Sequence, residues 1–398
     1  MKRRQFVFTS LLGTGGVLYA YGNTNTIWSR REIVRVGIIG TGNRGKGLQR
    51  FVQEIEGIEV VALADILPFR LEEAKALDPK AATYGDYRQL LDDPEVDAVI
   101  ISTPFFNHHE IAIDALDAGK HVYCEKTMVK GMDNIQPVIN KSNQKKDLVF
   151  QTGHQYHSSP LYKKVREIIR SGYIGDITAY HCQWNRQTDW RKPVPHPKFE
   201  RMLNWRMYRE YSGGLTAELM SHQIDYINWV TESHPSRMSG FGGIDHYKDG
   251  RETFDNVHLL MEYPSGLDAT FTCTTTNSQN GYEIRILGSK ATILLKMTMA
   301  EIFIEKPKNN GDLGMVDGVS GATREAWAKG EGVPIKAPGN NPTLDALQQF
   351  RDAVIEGKKV YSDIKTGANT SKCIQMALEA LHEEKITHWD DYPELIFT

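Results

Sequence analysis

Short apolar runs alternate with amphipathic helical stretches from residue 33 to about 155, and successive strand-like runs with few helices between them follow. This succession predicts an α/β domain joined to an α+β domain. The first part calls for a doubly wound parallel sheet with crossover helices, the second for an open, mainly antiparallel sheet. A third observation supports the first domain: a glycine turn, Gly40-Thr41-Gly42-Asn43-Arg44-Gly45, sits between the first apolar run and the first helical one.

Residues 34–39 read as the first strand, 58–64 as the second and 98–102 as a later one, with helical stretches such as 69–77 and 87–91 between them. Residues 122–124 and 147–152 complete that sheet. A helix over 160–171 leads into strand runs at 177–186, 255–262, 267–275, 281–287 and 291–296. A polar, glycine-rich segment over 306–341 precedes two amphipathic helices. Leu344, Leu347, Phe350 and Val354 keep a three-to-four spacing in the first, and Ile374, Ala377, Leu378 and Leu381 do so in the second.

The chain divides accordingly. Residues 1–31 form a leader and N-terminal arm, and 32–155 a dinucleotide-binding domain of the Rossmann type. Residues 156–342 form an α+β domain for substrate and oligomerisation, and 343–398 are C-terminal helices packing back on the body.

The chain has 398 residues, a formal charge of −3 and no basic stripe, which argues against nucleic acid and for small-molecule chemistry. The four cysteines, Cys124, Cys182, Cys273 and Cys373, are far apart, with no Cys-x-x-Cys pair and no histidine spacing that reads as a zinc site. They read as buried thiols, with a disulfide left open in an oxidising compartment. No metal is expected. The start, Lys2-Arg3-Arg4-Gln5-Phe6-Val7, runs into an apolar stretch over 6–21 and small residues near 20–22. That layout is a twin-arginine export leader, which predicts a periplasmic protein exported folded, with no membrane span in the mature chain; an uncleaved anchor is the other reading.

The glycine turn carries a stronger signal than its spacing alone. It follows a strand, opens a helix-compatible run and is answered by Asp65, twenty residues after Gly45, at the end of the next strand. Gly40 permits the tight turn, Gly42 lets backbone approach a pyrophosphate, and Gly45 allows close helix packing, with Asn43 and Arg44 at the helix start. Asp65 accepts from ribose hydroxyls and repels a 2′-phosphate, which favours NAD; Arg70 nearby keeps NADP open.

Three further stretches resemble the glucose-fructose oxidoreductase, inositol dehydrogenase and rhizopine-catabolism family, written Gfo/Idh/MocA. Ser102-Thr103-Pro104-Phe105-Phe106-Asn107-His108 resembles its Thr-Pro followed by a cleft histidine. Gly119-Lys120-His121-Val122-Tyr123-Cys124-Glu125-Lys126 resembles its Glu-Lys-Pro motif, and Ser212-Gly213-Gly214-Leu215 with Glu218 and His222-Gln223-Ile224-Asp225 its active-site helix. Thr127 stands where the motif has proline, Glu218 where aspartate is more frequent, and Met220 where glycine is usual. The resemblance spans nearly the whole mature chain in order. It implies that Ser102, Thr103, His108, Glu125 and Lys126 contact the cofactor.

Oxidising a secondary alcohol requires a base for the hydroxyl proton and a cation for the developing alkoxide. His222 is the candidate base, and the resemblance implies that Lys126 supplies the cation, toward the substrate oxygen or the cofactor ribose. Glu218, four residues before His222, would share its helix face at about 5–6 Å and orient the imidazole; Asp225 would share that face too. A surface ion pair is the alternative for such a spacing. His154 and His157 follow a strand end at the domain junction, beside Tyr156, and are candidates for substrate contact. The run from Trp184 through Arg186 to Trp190-Arg191, and Trp205-Arg206, mix indoles with polar groups as sugar sites do; packing in an interface is the other reading.

An exported enzyme has no ready NAD pool, so the expectation is a tightly held cofactor and an oxidoreductase acting on a sugar or glycoside hydroxyl, with C3 as a candidate position. The runner-up is an NAD-dependent glycosidase working through transient 3-keto oxidation and elimination. A sugar-sensing or scaffolding protein with an idle site is a third class. The open sheet and the arm over residues 22–31 suggest a homodimer or homotetramer.

Overall fold

The computed structural model describes residues 33–305, 332–339 and 341–397. The leader, the arm and most of the glycine-rich segment expected over 306–341 lie outside these residues.

Six parallel strands form the first sheet: β1 (Val34–Ile39), β2 (Ile58–Ala64), β3 (Ala82–Tyr84), β4 (Ala98–Ile101), β5 (His121–Cys124) and β6 (Phe150–Thr152). Their order is β3-β2-β1-β4-β5-β6. All four residues of β4 are buried, as expected of a parallel strand covered on both faces. One face carries Val36, Ile38 and Leu63 against Leu48 and Val52 of helix Asn43–Gln53 and Leu347 and Phe350 of helix Pro342–Glu356. The other carries Ile39, Val99 and Ile101 with Ile111, Leu116, Val138 and Ile139. Each such side chain contributes about 1.5–3 kcal/mol on burial. Strand order reverses between β1 and β4, and the crevice outside the carboxyl ends of these strands is where a doubly wound sheet takes its ligand.

The second sheet has nine strands among the described residues: β7 (Ile177–Asn185), β8 (Arg237–Gly243), β9 (Asn256–Glu262), β10 (Asp268–Thr274), β11 (Tyr282–Gly288), β12 (Ala291–Leu295), β13 (Ala300–Ile304), β14 (Val333–Ile335) and β15 (Thr387–His388). Neighbours are antiparallel except the central β7 and β10, which run parallel. Period-two burial is clear in β9 and β10: Val257, Leu259, Met261, Ala269, Phe271 and Cys273 face the core, whereas His258 and Leu260 face outward.

Helix Ile364–Glu383 belongs to both cores. Its Ala368 packs with the first sheet's cluster, and its Ile374, Met376, Ala377 and Leu381 pack with the second's. A side chain at its Gly367 would come within 2.4 Å of Thr152 and 2.7 Å of the Met128 sulfur, so helix backbone rests directly on the first domain. The four cysteines are free and buried.

Candidate active site

The glycine turn behaves as its chemistry requires. Gly40 has φ +89°, and a Cβ there would lie 2.8 Å from the backbone of Ser102. A Cβ on Gly45 would lie 2.1 Å from the Gly40 carbonyl oxygen, so neither position admits a side chain. At Gly42 the nearest neighbour is a guanidinium nitrogen of Arg70, 3.0 Å from an added Cβ, so no backbone crowds the approach. Helix Asn43–Gln53 begins at Gly42 with no side-chain cap, which leaves amides for an anion. Asp65 braces the turn: Oδ2 accepts from the Thr41 amide at 2.8 Å and its hydroxyl at 3.2 Å, and Oδ1 from the Leu67 amide at 2.9 Å. A second acceptor site on Oδ1 remains for a ribose hydroxyl. The cradle, the uncapped amides and the carboxylate fit a nicotinamide dinucleotide.

The turn opens into a cleft of about 1040 Å³ between the two sheets. From the first domain Asn43, Arg44, Ser102, Thr103, Glu125 and Lys126 line it; from the second come Trp184, Trp205, Arg206, Glu218 and His222. Ser102 Oγ donates to the Gly40 carbonyl at 2.7 Å and locks the turn onto β4. Arg44 grips Glu125, with Nε and Nη2 each 2.7 Å from Oε1. His108 also lines the cleft, but its ring nitrogens face the carbonyls of Thr127 (2.9 Å) and Thr103 (3.0 Å). A neutral imidazole has one N–H and can serve only one of them, and burial holds this ring below its ordinary pKa despite both carbonyls.

The catalytic candidates converge. Lys126 Nζ donates to the Glu218 carbonyl oxygen at 2.8 Å, and Thr127 Oγ1 donates to the Ala217 carbonyl at 3.1 Å. The threonine thus gives this chain a tie to the active-site helix that proline would lack. His222 is 5 % exposed and sits among the rings of Tyr156, Trp184 and His154, at centroid distances of 5.3, 5.7 and 6.0 Å.

Residues 34–154 match the family described as "Oxidoreductase family, NAD-binding Rossmann fold", and residues 162–294 match the "GFO/IDH/MocA C-terminal domain". The chain belongs to the GFO/IDH/MocA oxidoreductase family. It is 29% identical over 281 residues to the inositol 2-dehydrogenase of Salmonella typhimurium, covering 69% of this chain and 76% of that one. Among solved structures, the aldose-aldose oxidoreductase of Caulobacter crescentus superposes with a TM-score of 0.72 at 17% identity, over 89% of this chain and 99% of that one. Levoglucosan dehydrogenase in complex with NADH and levoglucosan gives 0.72 at 18% identity, over 91% and 100%. These structural likenesses establish the shared fold.

In this GFO/IDH/MocA oxidoreductase several expected roles change. Glu218 does not orient His222, because its carboxylate is taken by Arg206, whose Nε lies 2.8 Å from Oε2. The cause is local: residues Thr216–Met220 form a π-helical turn, so residues four apart no longer stack. Burial pushes the Glu218 carboxyl up, but Arg206 and Lys126 outweigh it and hold it below the usual range. Asp225 is not in the cleft either. It is 2 % exposed and accepts from His157 Nε2 at 2.8 Å and Thr370 Oγ1 at 3.1 Å, which makes it and His157 a structural pair. Tyr156 lies beneath His222, stacked on Tyr162 at 4.2 Å, and does not line the cleft. His154 touches the site only through His222.

Arg186 lies outside the cleft, its amide bonded to the Thr274 carbonyl at 2.8 Å. Trp184 and Trp205 do line it, and the Arg206 guanidinium lies 4.1 Å from the Trp205 ring centroid. The sequence reading missed Lys192 and Gln155, which also line the cleft. Lys192 sits in a proline-studded stretch that carries no motif.

The electrostatics fix a pH profile. Burial, then the charges of Lys126, His154 and Arg44, hold the His222 imidazole well below 6.5, so it is neutral and basic at pH 7. Burial also lowers the Lys126 ammonium from 10.5, opposed by Glu218 and Glu125. With His222 as base and Lys126 as cation, activity would need the first deprotonated and the second protonated. Both limbs of the kcat/KM profile for alcohol oxidation are therefore expected on the acid side of the ordinary values, below 6.5 and below 10.5. An acid limb at or above 6.5 would exclude His222 as the titrating base.

Proposed function

We propose that this chain oxidises a secondary hydroxyl of a sugar or glycoside, with C3 as a candidate position, by hydride transfer to NAD held on the glycine turn. The observation that carries the reading is a neutral, buried imidazole and a half-buried ammonium in a cleft walled by Trp184 and Trp205. Bound NAD would supply the hydride acceptor. The indoles offer flat apolar faces to sugar C–H groups, and Arg206 offers N–H donors to hydroxyls. Lys126 stabilises negative charge on the reacting oxygen, and His222 takes the hydroxyl proton. The names of relatives support the substrate class: an inositol 2-dehydrogenase, an aldose-aldose oxidoreductase and a levoglucosan dehydrogenase seen with its sugar.

The twin-arginine run supports export to the periplasm. There net turnover requires a retained cofactor that a second sugar or another acceptor reoxidises, or a cycle that returns the hydride. The outward face of the nine-stranded sheet exposes Phe241 and Leu260, which supports a homo-oligomer.

The deciding experiment incubates purified protein and NAD with a panel of sugars and glycosides in heavy water. Keto-sugar formation with rising absorbance of the reduced nicotinamide is the expected result. Net hydrolysis with deuterium at C2 would replace this reading with the glycosidase, and neither product from any sugar would end both.

A further inference from the structure

Residues 187–204 leave the end of β7 and cross to the first domain's side of the cleft as a braced strap. Arg251, whose side chain is 4 % exposed, pairs with Asp189 at 2.7 Å and Asp249 at 2.6 Å. Asp249 in turn pairs with Arg191 at 2.8 Å, and Arg191 with Glu200. The buried Asn204 amide closes the frame: it accepts from the Lys192 amide at 2.7 Å and donates to the Lys192 carbonyl at 2.9 Å and to Glu200 at 3.0 Å. At the far side Phe199 meets Phe69 of helix Pro68–Lys75 edge to face, with centroids 5.7 Å apart. These contacts fix the backbone of Lys192 on the cleft wall, opposite the glycine turn.

The charges there lack balance. Burial lowers the Lys192 ammonium, and so do its neighbours Arg206, Arg70 and Lys46, all of them cations. Arg206 is neutralised by Glu218 and Lys46 by Glu73. Among the described residues no ion pair is formed by Lys192 or by Arg70; both line the cleft, and Arg70 lies against Gly42. Two cations from two domains thus line the same cleft as the uncapped helix start at Gly42 and Asn43.

We propose that Lys192 and Arg70 form a two-sided clamp on the pyrophosphate of the nicotinamide dinucleotide, with the strap over 187–204 as the part that holds the nucleotide in. The inference rests on the reading that the dinucleotide binds at the glycine turn. Arg70 meets the phosphates from the helix after β2, and Lys192 meets them from the strap. The Phe69–Phe199 contact keeps the strap across the cleft.

The test measures NADH binding and release on the full-length protein freed of nucleotide, by fluorescence titration and stopped-flow displacement, with no sugar present. Lys192→Ala is expected to weaken NADH and ADP-ribose about 10- to 100-fold and to speed NADH release, leaving adenosine affinity and thermal unfolding unchanged. Lys192→Arg retains most of the affinity, and Phe199→Ala speeds release. NADPH is expected to lose as much as NADH. A loss confined to NADPH would move the contact to the 2′-phosphate and overturn the pyrophosphate assignment. Wild-type protein that binds NADH while Lys192→Ala stays within twofold of it would overturn the clamp and leave the proposed function standing. Wild-type protein that binds no NADH at all would overturn both.

Discussion

Replacing His222 with asparagine is expected to lower kcat for sugar oxidation by about 10²- to 10⁴-fold while NADH affinity stays within about twofold. His222 lines the cleft with Lys126, whereas the ring nitrogens of His108 face backbone carbonyls and Tyr156 and His154 do not line it. Asparagine retains polarity in a pocket already closed by Trp184 and Tyr156, so packing loss is small and the change reads on proton transfer. Steady-state rates together with an NADH titration separate the two effects. A variant that retains more than about a tenth of wild-type kcat would remove His222 from the role of base.

The second large effect is expected at Lys126. Lys126→Met removes the charge proposed to stabilise the developing alkoxide and should cost about 10²- to 10³-fold in kcat. The fold has reason to survive it, because Glu125 keeps Arg44 and Glu218 keeps Arg206. The variant also carries an internal check. Lys126 is the first charge that depresses the His222 pKa after burial, so its removal should shift the acid limb of the profile upward and abolish the alkaline limb. A variant that loses rate with both limbs unmoved would place Lys126 in a purely structural role.

That these two residues share one cleft was legible in the sequence because each stands within a short motif whose spacing survives folding. The cofactor turn was legible for the same reason: strand, glycines, helix and Asp65 are local in the chain, and local chemistry decides their geometry. The role of Glu218 was misread because a π-helical turn has no side-chain signature; it follows from how Thr216–Met220 packs, not from propensity. Asp225 was misread because what buries it, Thr370, lies 145 residues away. Strand β8 escaped notice since Gly240, Gly242 and Gly243 weaken its pattern, although a Cβ on Gly240 would meet the His258 carbonyl oxygen at 2.2 Å. The strap was invisible because its braces, Arg251 and Asp249, come from a different loop.

The helix Ile364–Glu383 sets how this molecule can move. Its Ser371 accepts from the Val129 amide of the first domain at 3.1 Å, while its Thr370 and Cys373 bond Asp225 and Asn228 of the active-site helix at 3.1 and 3.4 Å. With Gly367 seated on Thr152 and Met128, one rigid spine is keyed into both halves. A wide hinge opening at residue 155 would have to tear that spine from one side or the other. Under the proposed clamp, nucleotide exchange is then expected to be a local event, in which the cover lifts while the two halves keep their mutual orientation.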